Sequence, residues 1–259
     1  MAEQKQEFKF PTETVDLPSG GKVYPKDSPL SIGKIDIKYM TAKEEDILTS
    51  QTLLKKGIAL DRFLQSIIID KSINPHTLLV GDKNAIIIAA RSSGYGADYS
   101  AHINCTQCGA KNYIEFDLRN PEYIGDGYPE ELNITKTENG TLITQMPFSK
   151  FNVEFRFMNG EDEMVMTKTL MDQRKNNRVE SVLTEQYKRM IISVEGHTDQ
   201  GVIDQYAENM PTIDSRHLKL LLKNITPNIK ISKDLNCREC EHVQEVDVPF
   251  GTDFFWPDL

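Results

Sequence analysis

Cys105-Thr106-Gln107-Cys108-Gly109 and, far down the chain, Cys237-Arg238-Glu239-Cys240 contain all four cysteines of the protein. Each pair lies between stretches that read as strands. These are Tyr99 to Asn104 and Tyr113 to Leu118 for the first, and Ile229 to Ser232 and Gln244 to Pro249 for the second. Strand, Cys-x-x-Cys, strand is the pattern of a zinc knuckle, because a two-residue gap lets a tight turn aim both thiolates at one tetrahedral ion. Gly109 suits the exit from such a turn, where the backbone often takes a positive φ. Two knuckles supply Cys105, Cys108, Cys237 and Cys240, a closed four-thiolate set with no position left for catalysis.

The two pairs are 128 residues apart, whereas a compact ribbon separates its pairs by about 15–20. The sequence therefore predicts a split ribbon built around a long insertion and closed by a structural Zn2+. Three other readings remain open. A redox Cys-x-x-Cys opens a helix, and no helical pattern follows either pair. Two disulfides require an oxidising compartment, and the polar Met1 to Lys9 segment does not read as a secretory signal. Four unrelated buried thiols would not be expected to share one spacing and one context. His102 and His242 lie near enough in sequence to be substitute ligands.

Bulk properties narrow the function classes. With 259 residues the chain is long enough to bury its own core, so a metal acts as a local staple. A net charge of −9 argues against a phosphate-binding surface, which draws its affinity from Lys and Arg. No apolar run approaches the roughly 20 residues of a membrane span; Ala85 to Ala90 is the longest. A cytoplasmic location is expected. No Gly-x-Ser-x-Gly elbow, phosphate loop or His-Glu-x-x-His occurs, and His76, His197 and His217 stand alone. Glu161-Asp162-Glu163 sits at a helix start, where carboxylates favour the macrodipole. A non-enzymatic structural or interaction protein is the expectation.

The fold class predicted is α+β, with helical layers, short antiparallel sheets and the split ribbon. Residues 1–31 form an extended arm, 32–97 a helical region, and 98–120 with 228–250 the discontinuous ribbon. Residues 131–158 form a β-rich insertion, 159–227 a second helical region, and 251–259 an aromatic tail. Within these, Ile32 to Met40 alternates as a half-buried strand. Thr41 with Glu44 makes a capping box for a helix running to about Lys56. Further helices are predicted over Leu60 to Asp70, Val80 to Arg91 (ending at Gly94-Tyr95-Gly96), Gly160 to Asn177, Val179 to Val194, Gly201 to Met210 and Ile213 to Ile225. Asp214-Ser215 is expected to cap the last. Glu138-Asn139-Gly140 reads as a hairpin turn, and Phe151 to Phe157 as a strand. The methionines Met164 and Met171 are expected to pack in the core.

Several stretches taken together resemble a known family. They are Leu17-Pro18-Ser19-Gly20-Gly21-Lys22-Val23-Tyr24-Pro25, Ser28-Pro29-Leu30, and Lys38-Tyr39-Met40-Thr41-Ala42-Lys43-Glu44-Glu45-Asp46-Ile47-Leu48. Asp61-Arg62-Phe63-Leu64-Gln65-Ser66, Ile88-Ala89-Ala90-Arg91-Ser92-Ser93-Gly94-Tyr95-Gly96, the first knuckle and the terminal Phe254-Phe255-Trp256-Pro257 continue the likeness. The chain resembles the baseplate hub and hub-assembly proteins of T-even-type contractile-tailed phages. The likeness covers about the first 120 residues well, and Asn120 to Ile229 carries less of it. It implies a late tail protein without chemistry of its own, with other baseplate hub or wedge proteins as partners. It also implies location in the host cytoplasm during assembly and in the virion baseplate. Tyr24 and Pro25 of the Pro-rich arm, and Phe254, Phe255 and Trp256 of the tail, are then the expected partner-binding residues; the tail has as its alternative a role in covering the ribbon. The competing reading is a zinc-ribbon adaptor of a transcription or replication complex, which the net charge disfavours.

Overall fold

The computed structural model describes residues 11–125, 133–249 and 252–255. Among them the chain folds as α+β, with eight α-helices and short antiparallel sheets. Two hydrophobic cores organise it.

The first core begins with the arm. Thr12–Asp16 (β1) pairs antiparallel with Lys34–Lys38 (β2), so Val15, Ile35 and Ile37 alternate into the interior. Thr41 and Glu44 form the expected capping box. The helix it opens is broken, however, into Ala42–Thr49 (α1) and Gln51–Lys55 (α2). The Thr49 hydroxyl bonds back to the Glu45 and Asp46 carbonyls, and Ser50 leaves in an extended conformation. Side-chain hydroxyls of this kind compete with the helical ladder. Helix Ala59–Ile67 (α3) stops before the predicted Asp70, because Ile68 bridges to Ile37 and the Ile69 N–H bonds to the Asp36 carbonyl.

Val80–Tyr95 (α4) runs past the predicted end. Gly94 remains helical, and only Gly96, at φ +85°, terminates the helix. Asp98–Asn104 (β3) and Lys111–Asp117 (β4) then form the first hairpin, and Glu122–Ile124 (β5) follows.

The second core lies within residues 133–225, apart from Leu79. Ile134–Lys136 (β6), Leu142–Gln145 (β7) and Asn152–Phe155 (β8) form a meander, with Gly140 at φ +80° in the predicted turn. Val153, Phe155 and Phe157 point inward, as their alternation predicts, but Phe151, expected on the same face, precedes β8 and is 43% exposed. Gly160–Lys175 (α5) has a capping box of Asn159 with Asp162. The predicted helix over Val179 to Val194 is only Val182–Met190 (α6). Ile191–Val194 (β9) turns at once into a strand beside β8, completing the order β6-β7-β8-β9. Its β-branched residues fit that pleated surface. Gln200–Asn209 (α7) and Thr212–Ile225 (α8) close the core. Asp214 does not cap α8. Its buried carboxylate accepts the Phe148 and Ser149 N–H groups instead, at 2.7 and 3.0 Å. Met164 and Met171 are about half exposed (45% and 54%), not packed in the core.

The chain returns to the first core through Asn228–Lys230 (β10), which pairs with β5, and then Ser232–Asn236 (β11) and Val243–Asp247 (β12). The strand predicted over Ile229 to Ser232 is thus two elements. Ile229 pairs with Tyr123, and β11 alone leads into the second knuckle.

Candidate metal centre

The two cysteine pairs sit at the tips of two hairpins built on one plan. In β3–β4, Ile103 pairs with Asn112; in β11–β12, Leu235 pairs with Gln244. In each hairpin the residue two before the first cysteine therefore faces the residue seven after it. The turn bonds repeat. Cys105 N–H reaches the Ala110 carbonyl at 2.8 Å, and Cys237 N–H the His242 carbonyl at 2.9 Å. Gly109 N–H bonds to the Cys105 carbonyl and Glu241 N–H to the Cys237 carbonyl. Both turns leave through a left-handed residue, Gly109 at φ +74° and Glu241 at φ +58°.

Facing one another, the tips bring the four Sγ atoms within 4.8 Å of each other. Cys105 Sγ lies 3.7 Å from Cys240 Sγ, and Cys108 Sγ 3.6 Å from Cys237 Sγ. All four are free thiols. A tetrahedral ion with bonds of about 2.3 Å holds its sulfurs about 3.8 Å apart, and a disulfide needs about 2.05 Å. The donor set therefore fits a soft or borderline ion such as zinc, with Cys105 and Cys237 buried and Cys108 exposed. His102 and His242 are not in the set; His242 contributes its backbone carbonyl, and the His102 ring packs on Tyr113.

Electrostatics point the same way. The Glu239 and Cys240 N–H groups, with the Asn112 amide and the Cys108 thiol, draw Cys237 down to about 6. Against the pull of the His242 N–H, burial and the thiols of Cys108, Cys105 and Cys237 push Cys240 up to about 12. Cys105 is lowered, chiefly by the Cys108 N–H. Against the Ala110 N–H and the Cys240 thiol, desolvation and the Cys237 and Cys105 thiols raise Cys108. In each knuckle one thiol is shifted down and the other up. Like charges packed this closely cannot all ionise unless a cation joins them.

Two side chains tie the hairpins together across the site. The buried Asn112 accepts the Arg238 N–H at 3.1 Å, and its amide donates to Cys237 Sγ at 3.6 Å and to the Ala110 carbonyl at 2.9 Å. Gln244 Oε1 accepts the Thr106 N–H at 2.8 Å and the Thr106 hydroxyl at 2.7 Å. Neither residue was picked out in the sequence. Their shared offset from the first cysteine of each pair is the signal that could have found them.

The other expected site residues lie elsewhere. Pro25 is exposed, and Tyr24 is half-buried at the junction of the two cores. The Tyr24 hydroxyl donates to the buried Asp82 carboxylate at 2.6 Å and accepts the Leu79 N–H at 2.9 Å. Both residues line a cleft of about 470 Å³ with Asp27, Leu79, Thr141 and Arg156. Phe254 and Phe255 are buried in the chain's own first core, edge-on to Tyr99 and Phe63 respectively. Buried Arg91 holds this segment, donating from Nε to the Phe254 carbonyl at 2.9 Å and from Nη1 to the Gly96 carbonyl at 2.7 Å. Trp256 lies outside the described residues.

The fold and its site define a two-cored α+β protein with a four-cysteine ribbon assembled from distant parts of the chain. Residues 10–256 match the family model described as T4 bacteriophage base plate protein, and the chain belongs to that family. Comparison with curated proteins and with solved structures gives no match. No helix among the described residues is long and apolar enough to cross a membrane.

Proposed function

We propose that this protein is a non-enzymatic part or assembly factor of the phage baseplate hub, acting through contacts with other hub or wedge proteins. The observation that carries the reading is the family match over nearly the whole chain. In this reading a structural Zn2+ held by Cys105, Cys108, Cys237 and Cys240 closes the ribbon, and the four-thiol geometry supports it. The ion would supply cross-linking charge and no reaction, since four thiolates leave no open position.

The cleft beside Tyr24 and Pro25 is the surface we assign to a partner. An exposed proline next to an anchored tyrosine offers a rigid, partly apolar contact, the kind that concentrates binding energy at interfaces. Phe254 and Phe255 are buried in the first core, so their own rings are not offered to that contact. Trp256, which follows them, is assigned to the partner surface.

The test is a phage lacking this gene product, complemented in trans. Without the protein, tails should stall before a complete hub forms, and the wild-type chain should restore infective particles. Pro25→Ala, at an exposed position, should lower restoration without unfolding the chain. Normal hubs in the absence of the protein would refute the role.

A further inference from the structure

We infer that Asn112 and Gln244 are a reciprocal pair of positioning residues that hold the two knuckles in metal-binding register. The inference rests on the four-thiolate reading of the site and extends it to side chains that bind no metal.

The argument is one of symmetry and reach. Each amide stands seven residues after the first cysteine of its own hairpin, opposite the residue two before that cysteine. Each accepts the N–H of the residue just after the first cysteine of the other hairpin: Asn112 from Arg238, Gln244 from Thr106. The clamp therefore runs in both directions across the site, and each knuckle is oriented by the strand of its partner. A pair of amides without a task would not be expected to repeat offset, register and target.

The two clamps are not equivalent. Gln244 also takes the Thr106 hydroxyl and has no hydrogen bond to sulfur among the described residues. Asn112 donates to Cys237 Sγ, so it both aligns the second knuckle and withdraws electron density from one ligand. Outer partners of metal ligands typically change affinity by 10–100-fold when removed.

The test uses the full-length protein and competition with a chromophoric chelator for Zn2+, followed by Co2+ substitution. Wild type should bind one ion per chain, and Cys105→Ser should lose tight binding. Asn112→Ala, which removes a bond to a ligand sulfur, should weaken binding by about 10–100-fold, and Gln244→Ala by a smaller factor that still exceeds twofold. In the cobalt form, Asn112→Ala should move the sulfur-to-metal charge-transfer band to lower energy, because Cys237 becomes a stronger donor; Gln244→Ala should leave it in place.

If alanine unfolds the ribbon, a charge-matched pair replaces it. Gln244→Glu keeps its acceptor and should bind within a few-fold of wild type. Asn112→Asp keeps the acceptor for Arg238 but loses the donor to Cys237, so it should stay weakened with a shifted band. Affinities within twofold of wild type for both alanine variants, or equal behaviour of the charge-matched pair, would overturn the inference and leave the four-thiolate reading standing. A wild type that takes up no ion would overturn both.

Discussion

Replacing Gly81 with alanine should destabilise the protein, although helix propensity says the opposite. Gly81 lies in the first turn of α4, where alanine is favoured by up to about 1 kcal/mol. Yet a Cβ built there falls 2.0 Å from the Pro227 carbonyl oxygen and 2.7 Å from Asn228 Cα. Ordinary contact is about 3.5 Å, so α4 and the Pro227 backbone have to part by roughly 1.5 Å. The opposing atoms are main chain and cannot rotate away. On the other side of the same segment, a Cβ at Gly125 would fall 2.3 Å from the Thr226 carbonyl. Thr226 and Pro227 are thus gripped between two glycines where the chain passes from the second core back to the first. Overpacking of this kind costs about 3 kcal/mol at the upper end of the usual range. The net loss is then about 2 kcal/mol, or about 4–8 °C in unfolding midpoint for a chain of this size. Gly94→Ala is the internal control. It lies on the same helix, but its Cβ would meet only the Met40 side chain at 3.0 Å, which can move. Thermal unfolding followed by circular dichroism should show a clear drop for Gly81→Ala and little change for Gly94→Ala. A Gly81→Ala protein as stable as wild type would refute the close-approach reasoning.

Three further outcomes follow from single residues. Burial alone would raise the pKa of Glu44, but bonds from Lys38, Ser66 and Thr41 hold it down at about 2, against an ordinary 4.5. A depressed acid stabilises fully above its unfolded value. That contribution should fade as pH falls from about 4.5 to about 2, and urea midpoints for Glu44→Gln should lack this acid limb. Glu241 occupies the left-handed position that Gly109 fills in the other knuckle; Glu241→Gly should raise the unfolding free energy, measured by urea titration, by about 1 kcal/mol of relieved backbone strain. Asp214→Ala strips both acceptors from the Phe148 and Ser149 N–H groups, and should cost about 2–4 kcal/mol in denaturant titration.

The sequence was most legible where chemistry has a short period. The two Cys-x-x-Cys pairs, the Thr41 and Asn-Gly turns and the alternation through Phe157 all carry their signal within a few residues. It was least legible where a side chain answers to a distant one. Asp82 receives Ser19 and Tyr24 across roughly 60 residues, and nothing near Asp82 announces them. The join of α6 to β9 was missed because no glycine or proline marks it, and Ile191, Ile192 and Val194 continue a helical stripe as readily as they fill a strand. The exposed Met164 and Met171 show another limit. Amphipathic spacing names a helical face without naming what lies against it, and here α5 buries only Gly160 and Asp162.

The placement of the ribbon gives the long insertion a physical rationale. Both knuckle hairpins pack in the first core, and every buried residue of the second core except Leu79 is inserted between them, with Val23 and Tyr24 packing against it from the arm. A cation shared by four thiolates would close a loop of more than 100 residues, and cross-linking a loop of that length removes about 5 kcal/mol of unfolded-chain entropy. Loop closure grows only with the logarithm of length, so the inserted residues can vary in number at little cost to that staple. A second closure, β5 against β10 with Gly125 and Gly81 around Thr226 and Pro227, joins the two ends of the insertion near the same place. The base of the second core is therefore fixed twice by elements that take no part in its interior.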